Sequence, residues 1–400
     1  MSETATVASF ASLSGPQRHL VCAELVASGP VHRVTLPDGT EAWLVASYDE
    51  ARQALNDPRL NKGDMARTIL SRGKLSPELY AAMALHMLNC DPPDHTRLRR
   101  LVSAAFTQHR IEQLAPRIQQ ITDQLLDQAS GTGRIDLISE FAYPLSITVI
   151  CELLGIPEHR RSDFRAWSSV IVSGTMVQSD EFVVVSTALA GYLRELVAAK
   201  RADPANDLLS ALIAVRDGAD SLSEDELTSM GFLLLLAGYE TTANMIGNGA
   251  YDLLIHPEQL ALLRARPDLL PAAVEEVLRF DGPSQVASFR QTSEPVRIGD
   301  VTIPANRIVI INLLAANRDP AHMPEPGVLD INRERDPHLA FSHGIHHCLG
   351  APLARLEGRI ALGTLLARFP RLRLAVPAEQ LAWQPSMLIN GLAELPVAVH

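Results

Sequence analysis

Cysteine is scarce in this 400-residue chain. Cys22, Cys90, Cys151 and Cys348 lie far apart and form no CxxC pair. That spacing excludes a disulfide framework and suits unpaired thiols in a reducing cytoplasm. Positive charge is also short, with 35 Lys and Arg against 46 Asp and Glu, a net charge of −11. Such a balance argues against nucleic acid as the main partner. Met1 to Gly15 has no basic start followed by an apolar run, so no secretory signal is visible. The longest strongly apolar stretch, near Gly231 to Gly238, is far short of the roughly 20 residues that span a bilayer. No linker, repeat or low-complexity tract interrupts the chain. One domain over residues 1–400 is expected, soluble and cytoplasmic, with residues 1–15 a flexible N-terminus. The 47% hydrophobic content is ample for its core.

What is present is mostly helical pattern with a few short strands. Val31 to Leu36 and Glu41 to Val45 alternate around Pro-Asp-Gly-Thr, a hairpin signal. Ser47-Tyr48-Asp49-Glu50 is a capping box for a helix ending near Asp57-Pro58. Asp91-Pro92-Pro93 opens another helix. Helical patterns follow at 110–128, 135–154, 160–173 and 180–200. A second capping box at Ser223 to Glu226 opens a helix of roughly 30 residues that ends at His256-Pro257. Leu233 to Leu236 makes it apolar all round, so it must cross the interior. Val296 to Ile311, turning at Gly299-Asp300, reads as strands, as do Leu372 to Val376 and the tail after Pro385.

The segment Phe341-Ser342-His343-Gly344-Ile345-His346-His347-Cys348-Leu349-Gly350 sets one cysteine in a glycine-flanked turn ahead of an arginine-bearing apolar helix. Backbone N–H groups and the positive end of a helix dipole favour thiolate over thiol. A zinc site from His343, His346, His347 and Cys348 is a weaker reading, because four ligands this close in sequence need a distant partner. The segment resembles the cysteine loop of the cytochrome P-450 family, Phe-Gly-x-Gly-x-His-x-Cys-x-Gly, through Phe341, Gly344, His346, Cys348 and Gly350. Ser342 stands where the family usually has glycine. The resemblance implies haem b held by an axial Cys348 thiolate, with O2 as co-substrate.

Ala237-Gly238-Tyr239-Glu240-Thr241-Thr242 places a glycine and threonines mid-helix, which suggests a local opening of the helix. The bland reading is a kink in a packed helix. The segment resembles the family's oxygen-activation motif. That implies Ala237 and Gly238 against the cofactor, Thr241 as hydrogen-bond partner of the oxygen, and Glu240 as the proton connection to solvent. Glu276 and Arg279, spaced i, i+3, resemble the family's Glu-x-x-Arg element, a buried structural pair. His95, Arg99, Arg290 and His346 match positions that contact haem propionates. Arg97, Arg100, Arg355 and Arg359 resemble a basic face for an acidic electron donor.

By position in the family, substrate contacts fall on Met83, Met87 and Leu88; on Trp167, Val170, Met176 and Val177; on Leu236 and Ala237; on Val286, Ala287 and Ser288; and on Leu388 and Ile389. Core packing is an equal claim on each. The set is mainly apolar, which implies a hydrophobic pocket, with residues 61–86 a mobile entrance. The fold implied is mainly α with small β-sheets: a long central helix over the haem and a minor β-rich N-terminal part. The activity implied is a monooxygenase of actinomycete type acting on a bulky apolar natural product, such as a macrolide, terpenoid or peptide. Ferredoxin and ferredoxin reductase would relay its electrons from NAD(P)H. No membrane span is expected. The alternatives are a peroxide-driven peroxygenase, an oxidative-coupling enzyme, and a catalytically inert haem-fold binding domain. Glu240 and Thr241 count against the first, and retention of Cys348 counts against the last.

Overall fold

A computed structural model describes residues 15–400 except 37, 64, 66–74, 130, 132, 175–178, 216–219 and 335–336. The expected flexible N-terminus therefore lies almost wholly outside the described residues. The chain forms two compact units. The first is Met1–Leu60, Leu114–Leu145 and Thr241–His400, and the second is Asn61–Gln113 and Ser146–Glu240.

Strands are β1 (Val31–Thr35), β2 (Glu41–Val45), β3 (Leu60–Asn61), β4 (Arg134–Asp136), β5 (Arg290–Thr292), β6 (Val296–Ile298), β7 (Val301–Ile303), β8 (Ile308–Ile311), β9 (Arg373–Leu374) and β10 (Pro396–Ala398). The main sheet has the order β1-β2-β8-β5-β3. The expected hairpin is there, with Val31 opposite Val45 and Thr35 opposite Glu41. β2 then runs parallel to β8, Val45 beside Ile311. Because β8 is central, all four of its residues are buried, which is why it reads as a continuous apolar run rather than an alternating one. Val45, Tyr48, Leu55, Val309, Ile311 and Leu313 share the core beneath it. Each such aliphatic side chain contributes about 1.5–3 kcal/mol by leaving water. β6 and β7 pair across Gly299, whose φ of 55° suits glycine at that turn.

In the first unit the helix Tyr48–Asn56 begins where the sequence predicts, with Ser47 at the N-cap, but Ser47 makes no side-chain cap. The Tyr48 N–H donates to Asp319 Oδ2 at 2.9 Å instead. A residue 271 positions away supplies the carboxylate that the local motif promised. The helix Arg18–Ser28 is tied in by Arg18, whose guanidinium pairs with the buried Asp281. The helices Ala115–Ala129 and Ala351–Arg368 meet, and Gln119 Nε2 donates to Thr364 Oγ1 at 3.0 Å.

The second unit is helical, with Pro77–Ala84, Asp94–Ala105, Gln108–Glu112, Arg161–Gly174, Asp180–Ala202 and Leu208–Ala214. The pattern expected at 110–128 is two helices, Gln108–Glu112 and Ala115–Ala129. The one expected at 135–154 begins as β4, passes through a π-helical turn at Leu137–Ala142 and becomes α-helical at Tyr143–Leu154. Ile135 pairs with Val397 of β10, so sheet pairing overrides helical pattern there.

The central helix runs Glu224–Ile255, 32 residues, or about 48 Å. Its capping box is formed: the Glu226 N–H donates to Ser223 Oγ and the Ser223 N–H to Glu226 Oε2. The boundary between units falls after Glu240. Among the described residues two helical stretches, Leu137–Leu154 and Asp180–Ala202, are long and apolar enough to cross a bilayer by length and composition. The first window is 67% buried in protein. The second carries Asp180, Glu181, Arg194, Glu195, Lys200 and Arg201 while turning Phe182, Leu189, Leu193 and Val197 inward. That is the amphipathic pattern of a helix lying on a protein core.

Candidate active site

Cys348 sits two residues before the N-cap of the helix Ala351–Arg368. Its N–H donates to the Phe341 carbonyl at 2.9 Å, which closes the loop on itself. Between them Gly344–His346 makes a single 3₁₀ turn. Gly344 has a φ of +74°, and a Cβ there would lie 2.5 Å from Asn56 Oδ1 and 3.0 Å from the Leu55 carbonyl. Only glycine lets the loop rest directly on the end of the helix Tyr48–Asn56.

Ser342, the departure from the family pattern, has a φ of +63°. That is a left-handed conformation costing an L-residue about 1–2 kcal/mol. Its N–H still donates to the Leu339 carbonyl at 2.7 Å. Glycine also gains entropy in the unfolded chain, which offsets part of the strain it relieves. Ser342→Gly is therefore expected to stabilise the protein by about 0.5–1 kcal/mol, read as a higher denaturant midpoint at unchanged slope. A neutral or lower midpoint would show that the serine repays its strain elsewhere.

Among the described cysteines only Cys348 is exposed. Burial pushes the thiols of Cys22 and Cys151 up to about 12, and Cys90 likewise. Those three are poor ligands, and Cys348 presents an accessible sulfur on a rigid turn. A Cβ at Gly350 would lie 3.8 Å from the Cys348 sulfur, an ordinary van der Waals contact. In the same unit Arg290 is buried on β5, with Nη1 donating to the Ala54 carbonyl at 2.9 Å, and His346 is half-buried. In the second unit His95 is buried on the helix Asp94–Ala105, where burial and then the Arg99 charge hold its imidazole below its ordinary pKa. Arg99 is half-buried on the same helix. Within the first unit, an accessible Cys348 sulfur and the buried Arg290 guanidinium are donors of the kind that fit the thiolate ligand and a carboxylate of haem. Among the described residues no three acidic, histidine or cysteine side chains converge to hold a metal ion, so His343, His346, His347 and Cys348 do not gather as a zinc set.

The central helix passes through the oxygen motif without a break, so the expected opening does not occur. Gly238 has a packing reason instead: a Cβ there would lie 2.8 Å from Ile150 Cδ1. Ala237 is exposed on the second unit, and Thr241 is half-buried. Glu240 is 8% exposed, and burial pushes its carboxyl up to about 7.

Glu276 and Arg279 form the buried pair expected. Arg279 Nε donates to Glu276 Oε2 at 2.8 Å and Nη2 to Oε1 at 2.7 Å. The remaining N–H groups reach the carbonyls of Asn317, Pro326 and Val328. Arg333, which no local pattern pointed to, joins Glu276 Oε1 at 3.2 Å. The four arginines expected as a basic face differ among themselves. Arg97 pairs with Glu226 and with Asp220 at 3.3 Å, and Arg355 is held by Glu275. Arg100 and Arg359 are exposed.

Of the substrate candidates, Met176 and Val177 lie outside the described residues. In the second unit Met83 packs beside Leu79 and Ala82, Met87 is buried, and Leu88 and Leu236 are half-buried. Trp167 lies edge-on to Phe164 at 5.2 Å, with Val170 half-buried one turn on. In the first unit Val286, Ala287 and Ile389 are buried, Ser288 and Leu388 half-buried, and the Leu388 carbonyl accepts the Gln285 N–H. Of the expected entrance segment, 77–84 is a helix and 64 and 66–74 lie outside the described residues.

The profile of the family Cytochrome P-450 matches residues 184–379. The chain is 50% identical over 374 residues to cytochrome P-450 107B1 of Saccharopolyspora erythraea, covering 92% of each chain. It is 48% identical to the monooxygenase PikC of Streptomyces venezuelae, over 94% of this chain and 89% of that one. Its fold matches the tirandamycin C-bound monooxygenase TamI with a TM-score of 0.87 at 45% identity, covering 96% and 97% of the two chains. With Cys348 exposed on its closed loop and Glu276 locked to Arg279, the chain belongs to the cytochrome P-450 family and is a haem-thiolate monooxygenase.

Proposed function

We propose that this enzyme oxidises a bulky apolar natural product, of the macrolide or polyketide kind, in the cytoplasm, with ferredoxin and ferredoxin reductase bringing electrons from NAD(P)H. The whole chain would serve as one haem domain. The relatives 6-deoxyerythronolide B hydroxylase and mycinamicin IV hydroxylase/epoxidase support the substrate class, and the mainly apolar candidate set agrees with it.

Haem bound through Cys348 supplies the activation of O2 and the transfer of one oxygen atom. By likeness to the family, Arg290 and His346 in the first unit would hold haem carboxylates, as His95 and Arg99 would in the second. Glu240 holds a proton on its carboxyl near neutral pH, and Thr241 follows it directly on the central helix. By likeness to the family, Thr241 would offer its hydroxyl to the oxygen and Glu240 would link the pocket to solvent protons. A carboxylic acid poised near the working pH is suited to this relay. The burial of the Glu240 carboxyl in the oxygen motif, 8% exposed, is the observation that carries the oxygen-activating reading over the inert one.

The test is the optical spectrum of the reduced protein with carbon monoxide, followed by turnover of a macrolide panel with ferredoxin and reductase. A far red-shifted Soret band with product is expected. A histidine-type band refutes the Cys348 assignment, and a thiolate band with product from peroxide alone favours the peroxygenase.

Glu240 also makes stability depend on pH. Its folded pKa is raised, so the native chain holds the proton that the unfolded chain releases near 4.5. Stability from this group is full below about 4.5, falls as pH rises, and is lost above about 7. Relative to Glu240→Gln, the wild type should lose on the order of 3 kcal/mol across that window. Denaturant midpoints of both proteins between pH 4.5 and 8 check this, and parallel profiles would mean that the carboxyl is not desolvated.

A further inference from the structure

We propose that Glu275 is a positioning residue for the thiolate loop, holding Phe341 through two arms, Arg355 and His338, and through the Phe341 carbonyl the main chain of Cys348. The inference rests on Cys348 as the haem ligand. Arg355 meets Glu275 with a two-pronged fork, Nε to Oε1 at 2.7 Å and Nη2 to Oε2 at 2.8 Å. The same guanidinium stands 4.5 Å from the Phe341 ring centroid, a cation–π contact.

The second arm is His338, 3.2 Å from Glu275 Oε2 through Nε2. Its Nδ1 accepts the Ala340 N–H at 3.2 Å, so the proton must sit on Nε2 and point at the carboxylate. The His338 ring lies 6.1 Å from the Phe341 ring. Two of the groups bordering Phe341, Arg355 and His338, are thus oriented by one carboxylate, while His347 borders it from within the loop at 6.4 Å. The Phe341 carbonyl in turn accepts the Cys348 N–H at 2.9 Å.

Electrostatics agree with this geometry. Burial raises the Glu275 carboxyl, but the hydrogen bonds from His338 and Arg355 and the Arg355 charge outweigh it and hold the group down at about 2. The carboxylate is therefore charged at every working pH. Glu276, the next residue on the helix Leu270–Asp281, anchors the segment before the loop. One helical turn would then fix the approach to the loop through Glu276 and the loop itself through Glu275.

The experiment compares the full-length, haem-loaded wild type with Glu275→Gln and Glu275→Asp. Three quantities are read: the rate at which the reduced, carbon monoxide-bound protein passes from the thiolate band to the neutral-thiol band, the midpoint potential of the iron, and the denaturant midpoint. Glu275→Gln should keep its haem and its fold. It should lose the thiolate band about tenfold faster, since charge-assisted bonds on both arms are weakened, with a displaced potential. Glu275→Asp, which keeps the charge, should recover most of both. Wild-type decay and potential in Glu275→Gln would overturn the proposal, as would a loss that Glu275→Asp does not lessen. A wild type without a thiolate band would instead refute the ligand assignment itself.

Discussion

Glu276→Ala should cost the protein about 3–5 kcal/mol and leave little of it able to retain haem. The size follows from what remains behind. Arg279 is 2% exposed, and its guanidinium uses all five N–H groups: two on Glu276 and three on the carbonyls of Asn317, Pro326 and Val328. Without the carboxylate, a cation stays buried among carbonyl dipoles with no opposite charge. Arg333 loses its acceptor on Glu276 as well. The segment from Asn317 to Arg333 leads into Leu339, whose N–H is held by Asn317 Oδ1 at 2.6 Å, and so into the cysteine loop. Arg279→Lys should be nearly as damaging, because an ammonium has three donors and no fork. Denaturant unfolding at constant slope reads the effect. A loss below about 1 kcal/mol for Glu276→Ala would mean that water replaces the carboxylate and that the pair is not the brace described.

The sequence revealed the chemistry better than the supports around it. The hairpin of β1 and β2, the 32-residue central helix with its capping box, and the Glu276–Arg279 pair all follow from local pattern, because each is made by residues within a few positions of one another. Distant partners were hidden. Asp319 caps the helix at Tyr48, Val397 draws Ile135 into a strand, and Arg333 and His338 reach back to the helix Leu270–Asp281. A pattern of types and spacings carries no sign of such pairings. Gly238 misled for a related reason. Glycine in a helix costs about 1 kcal/mol, so it reads as a functional distortion, but here Ile150 closes on the missing side chain of a continuous helix. Arg97 and Arg355 likewise looked like free charge, and their acids lie 129 and 80 residues away.

Thr241→Ala should keep haem, fold and substrate affinity while product per NAD(P)H falls at least tenfold, the electrons leaving as hydrogen peroxide. Removing a positioned proton donor typically costs 10²–10⁴-fold in the step it serves, and a competing release pathway turns that slowing into uncoupling. The packing cost is small, because Thr241 is only half-buried on the central helix and alanine is the better helix former. Glu240→Gln should uncouple the reaction differently. The amide still fills the site, but it holds no titratable proton, so its turnover should lose the dependence on pH near 7 that the raised wild-type carboxyl imposes. The double variant should be no worse than the poorer single one if the two act as one relay, since groups that serve a single step are not additive. Matched measurements of product, NAD(P)H and peroxide separate the cases. Well-coupled product formation in Thr241→Ala would remove Thr241 from the relay and leave the Glu240 proton with another route.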